Sequence, residues 1–111
     1  MNLSATQLNQ ALQAYIATVP NEERLRAHLD SIGLGLRMLE FQERLRPALE
    51  SAENYLWAQP NGVRWTDQFE NRLFEYVRDA APWLDRDGFA SICSFGKWLC
   101  LREGLSTGEL P

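Results

Sequence analysis

The sequence predicts an all-α protein: a compact single-domain bundle of about four to six helices, with a central apolar helix near its C-terminal end. Three observations predict it. Apolar residues recur at steps of three and four, most clearly in Leu34, Met38, Phe41, Leu45, Leu49, Ala52 and Leu56, which is helical spacing. Valine occurs only at Val19, Val63 and Val77, and isoleucine only at Ile16, Ile32 and Ile92, a scarcity of β-branched apolar residues that works against a sheet. Capping residues precede the periodic stretches, and glycine or proline follows them.

The first helix starts after Ser4, whose spacing to Gln7 is that of a capping box. Its stripe is Leu8, Ala11, Leu12, Tyr15, Ile16 and Val19, and Pro20 ends it. Asn21 is the N-cap of the second helix, and Glu22 and Glu23 suit the positive end of its dipole. Leu25, Leu29 and Ile32 line that helix, and Gly33 or Gly35 closes it. In the long stripe from Leu34 to Leu56, Pro47 removes a backbone donor and crowds the preceding turn. The expectation there is two helices, or one with a sharp kink.

Gln59-Pro60-Asn61-Gly62 reads as a loop. Thr66 or Asp67 then caps a helix carrying Phe69, Leu73, Phe74, Tyr76 and Val77, and Pro82 lies beyond its end. Asp85 caps the last helix, with Leu84 and Phe89 at hydrophobic-staple spacing. Phe89, Ile92, Cys93, Phe95, Trp98, Leu99 and Leu101 surround that helix, so it is expected at the centre of the bundle. Gly96 in its middle asks for a close helix crossing, and Gly104 is its stop. Residues 1–4 and 105–111 are expected to be loose. Ten of the twelve aromatic residues lie from Tyr55 onward, so the second half is expected to hold most of the core.

The chain has 111 residues, 45% apolar and 23% charged, an ordinary composition for one globular domain. It holds no apolar run of 18 residues, so no membrane span is expected, its first ten residues lack a basic start followed by an apolar stretch, so no signal peptide is expected, and two cysteines that cannot pair within one helix favour the cytoplasm. Fifteen acidic residues face eleven basic ones, for a net charge of −4, and Lys97 is the only lysine. That balance disfavours duplex nucleic acid and anionic lipid and is compatible with a basic protein partner.

Few residues offer chemistry. His28 is the only histidine, which excludes sites built on two imidazoles. Cys93 and Cys100, seven residues apart on one helix, lie about 10 Å apart along its axis, too far for a disulfide. Glu40 with Glu43, and Glu50 with Glu53, share helix faces, but no histidine completes a di-iron pattern and Arg37, Arg44 and Arg46 lie nearby. Gly33-Leu34-Gly35 lacks the rest of a phosphate loop. No catalytic set, metal site or cofactor site is expected.

The candidate partner-binding residues are Trp57, Asn61, Arg64, Trp65 and Arg72, because exposed tryptophan beside arginine is the composition of binding hot spots. The competing reading folds both indoles over the core. The function expected is that of a small non-catalytic cytoplasmic protein that binds another protein stoichiometrically: an inhibitor, an immunity or antitoxin-like protein, or an adaptor of a bacterial or phage system. It would act as a monomer or a homodimer. The alternative is a helical small subunit of a nucleic-acid complex, with Arg37, Arg44 and Arg46, or Arg64, Arg72 and Arg78, as a basic stripe whose binding weakens with salt.

Overall fold

Five α-helices and one 3-10 turn form the protein in a computed structural model that describes residues 3–60 and 62–105. They are α1 (Ala5–Tyr15), α2 (Glu22–Ser31), the 3-10 turn Gly35–Arg37, α3 (Met38–Trp57), α4 (Asp67–Ala80) and α5 (Arg86–Glu103). The five α-helices share one hydrophobic core, in a body of 44 × 24 × 19 Å. Residues 1–2, Asn61 and residues 106–111, among the sequence expectations, lie outside the described residues.

Four helices start where their side chains can cap them. The Ser4 hydroxyl accepts from the Gln7 N–H while the Gln7 side chain accepts from the Ser4 N–H, a complete capping box. Asn21 accepts from the Arg24 N–H, Thr66 from the Phe69 N–H and Asp85 from the Gly88 N–H. Leu84 and Phe89 are both buried, as the staple requires.

α1 ends at Tyr15, short of Pro20. Ile16 is extended, and the Asn21 N–H returns to the Tyr15 carbonyl at 2.9 Å, so residues 16–20 make a tight reversal. Val19, expected in the stripe, is exposed; it precedes proline, which disfavours the helical region. Ile32 is likewise exposed, because α2 stops one residue before it. There Gly33 takes φ 77°, the Gly33 N–H donates to the Asp30 carbonyl and the Leu34 N–H to the Leu29 carbonyl, which is a full Schellman motif. Gly35 then packs where an added Cβ would overlap the Asp30 carboxylate.

Pro47 does not divide its stretch: α3 runs unbroken through 20 residues. Phe41, Leu45, Ala48, Ala52 and Leu56 are buried on both sides of the proline, so packing along the whole length outweighs one missing bond. The core also draws on both halves of the chain: Leu8, Leu12, Leu25, Leu29 and Phe41 are fully buried, although aromatic residues cluster later. Leucine and alanine fill the first half's share.

α3 packs on α4, α1 on α2, and α5 against both α1 and α3. Gly96 is the close crossing that its position asked for: a Cβ there would meet Trp65 Cη2 at 2.9 Å and Leu56 Cδ1 at 3.3 Å. Yet α5 is not covered on every side, since Ala90, Ser94 and Leu101 are exposed. Of the residues expected to be loose, three are described. Leu3 is buried, Ser4 caps α1, and Leu105 donates to the Cys100 carbonyl and accepts from the Val63 N–H at 2.7 Å.

Candidate functional site

The tryptophan-arginine surface expected from the sequence divides in the structure. Trp57, at the end of α3, is 54% exposed, and Arg64 and Arg72 are exposed. Trp65 is 4% exposed; its ring stands edge-on to Phe69 at 5.2 Å and against Gly96. It is a core residue, so the two indoles do not form one binding face. The arginine stripe of Arg37, Arg44 and Arg46 divides too, with Arg37 in the 3-10 turn and the other two in α3. Arg37 is held by Glu40 at 2.7 Å, and Arg46 lines a cleft of about 290 Å³ with Tyr15, Glu22 and Gln42. That cleft raises the Tyr15 hydroxyl above its ordinary value, through burial and then the Glu22 carboxylate.

Neither cysteine is in a disulfide, and both are buried. The Glu40 carboxyl is held below its ordinary value by its hydrogen bond to Arg37, while Glu53 is raised by burial and by Glu50. His28 is half-buried and its Nε2 finds no hydrogen-bond partner. No described helix is long and apolar enough to cross a membrane.

Two other places on the surface stand out. The first is the bend from α2 to α3, where Ile32 is 44%, Leu39 65% and Leu36 fully exposed. Leu36 and Leu39 are three residues apart across the junction of the 3-10 turn and α3, so they share a face. Asp30 and the Arg37–Glu40 pair stand beside them. Single exposed leucines are ordinary, but three large apolar side chains within eight residues make a ridge. The sequence held a signal for it: Leu36 and Leu39 fall off the stripe that runs through Leu34, Met38 and Phe41.

The second is a groove of about 560 Å³ between α4 and α5. Asp67, Glu70 and Asn71 form its α4 wall, one helical face at i, i+3 and i+4. Phe89 and Cys93 line the other side, and Lys97 reaches across to Glu70 at 3.6 Å. At one end Arg86 lies 4.3 Å from the centre of the Phe74 ring, which stacks on Phe89 at 4.7 Å.

The Cys93 thiol in this groove is pushed up to about 12, by burial and then by the Glu70 carboxylate. A thiol held that high is unreactive near neutral pH. The folded value lies above the ordinary 9.0, so the folded chain holds this proton after the unfolded chain releases it. Stability from this group is therefore complete below about pH 9 and lost as pH rises toward 12. Urea unfolding at pH 8 and at about pH 10.5 should show wild type losing more stability than Cys93→Ala over that interval. Equal losses would mean that the thiol is not buried.

No family model, no curated protein and no solved structure matches this chain.

Proposed function

We propose that this chain is a small non-catalytic binding protein that acts by forming a stoichiometric complex with another protein, as an inhibitor, an antitoxin-like or immunity protein, or an adaptor does. The observation that carries the reading is the ridge of Ile32, Leu36 and Leu39. Leu36 touches so little of its own chain that it adds nothing to the core, yet it stands beside two further exposed apolar side chains. Seating it in an apolar pocket of a partner would remove about 1.5–3 kcal/mol of unfavourable exposure. A partner with a basic face suits the chain's net charge of −4 and the Asp30 carboxylate near the bend, since Glu40 is already paired with Arg37.

The test begins with affinity capture from the native host and ends with purified components. Light scattering should show a complex of fixed stoichiometry with a co-purifying protein. Leu36→Asp should weaken that complex tenfold or more while leaving the melting temperature within a few degrees, since an exposed substitution costs at most about 0.5 kcal/mol. A wild-type chain that forms no complex, or a complex indifferent to Leu36→Asp, would remove the support for this reading.

A further inference from the structure

The groove between α4 and α5 holds about 560 Å³ and is crossed by the chain's own side chains at two places, Lys97 with Glu70 and Arg86 with Phe74. Its α5 wall runs from Arg86 to Lys97, eleven residues or about 16 Å, which is three turns of a helix. Along that wall Arg86, Ala90 and Ser94 are exposed, and the two that follow the arginine are small and four residues apart. The floor is apolar and chemically quiet, formed by Phe89 and the protonated Cys93 thiol.

Charge sets the direction of an occupant. Glu70 is neutralised by Lys97 across the groove, which leaves Asp67 as the carboxylate at that end. At the other end the Arg86 guanidinium lies over the Phe74 ring. Asp67 and Phe74 are seven residues apart on α4, so the two charges stand about 10 Å apart along the groove, two turns of a helix.

We infer that the groove receives an amphipathic helix of the protein partner, one with a basic residue facing Asp67, an acidic residue about seven positions away facing Arg86, and small or medium apolar residues between them. This inference rests on the protein-binding reading above and assigns a second, separate contact to the same partner. The complex would then use a ridge that enters the partner and a groove that the partner enters, on different elements of the fold. Helix-in-groove binding takes its affinity from the buried apolar stripe and its orientation from the charges at the ends.

The test places a photo-crosslinking residue, p-benzoylphenylalanine, at Ser94 in the full chain, and in a second preparation at Leu36, both in the native host. Mass spectrometry of the Ser94 product should identify a helical segment with a basic and an acidic residue about seven positions apart. Arg86→Glu should reduce the Ser94 crosslink at least tenfold, and changing the partner's acidic residue to lysine should restore it. A Ser94 product joined to a second copy of this chain, to nucleic acid or to a non-helical segment overturns the inference. So does a yield indifferent to Arg86→Glu. If Leu36 crosslinks a protein and Ser94 does not, the groove assignment fails and the binding reading stands; if neither crosslinks a protein, both fail.

Discussion

Trp65→Ala should lower the stability of this protein by about 3–5 kcal/mol, the cost of emptying a buried aromatic site. The indole lies between Phe69 and Gly96, 4% exposed, with Leu56 against the same glycine. Gly96 has no side chain to close the space, and Leu56 is held by α3, so the cavity would collapse only in part. The melting temperature should fall by roughly 15 °C or more. Trp57→Ala, on an indole 54% exposed, should cost less than about 1 kcal/mol. Trp65→Phe separates packing from polarity. Trp65 Nε1–H is buried without an acceptor, so phenylalanine loses volume but also removes a desolvated donor. It should recover most of the loss seen with alanine. Urea titrations of the three variants check all of this, and an equal cost at Trp57 and Trp65 would contradict the placement of Trp65 in the core.

That contrast shows what the sequence makes legible. Whether an indole faces inward is not written in its neighbours. Trp57 and Trp65 flank the same loop, and only the glycine at position 96, 31 residues after Trp65, makes room for one of them. Local signals were readable because their physics is local. Ser4, Asn21, Thr66 and Asp85 each accept from a backbone N–H three residues on, within the same turn of chain. Of the two outcomes expected at Pro47, the division into two helices does not occur, because the proline's local cost is smaller than the packing of Phe41, Leu45, Ala48, Ala52 and Leu56 along one helix. The ridge was readable in principle, as leucines off the stripe. The groove was not: its walls are separated by the α4–α5 connection and meet through pairs such as Phe74 stacked on Phe89, 15 residues apart in the chain.

Asn9 is the residue that most clearly escapes sequence reading, and its replacement is the second large effect expected. It sits in α1 between Leu8 and Gln10 and is 2% exposed. Its amide donates to the Trp83 carbonyl at 2.8 Å and its Oδ1 accepts from the Asp85 N–H at 3.0 Å, partners 74 and 76 residues away. It thereby fastens α1 to the turn that starts α5. Asn9→Leu keeps the approximate volume and leaves the Trp83 carbonyl and the Asp85 N–H unsatisfied. At about 1–3 kcal/mol for each buried orphan, the loss should be about 3 kcal/mol. Hydrogen exchange should quicken first at the Asp85 and Gly88 amides, where the latch and the N-cap meet. Gly88 provides the sharper check. A Cβ on Gly88 would overlap Asn9 Oδ1, so Gly88→Ala should break the same latch from the other side. The two substitutions should not add. Asn9→Ala removes the oxygen with which alanine at 88 collides, leaving Leu84 Cδ1 at 3.0 Å, the end of a flexible side chain, to shift slightly, and alanine is better than glycine inside a helix by about 1 kcal/mol. The double variant Asn9→Ala/Gly88→Ala should therefore be no less stable than Asn9→Ala alone, and a double-mutant cycle should return a coupling of 1 kcal/mol or more on the order of contacting residues. Simple additivity in that cycle would mean that Asn9 and Gly88 do not touch and that α1 is fastened to α5 by other means.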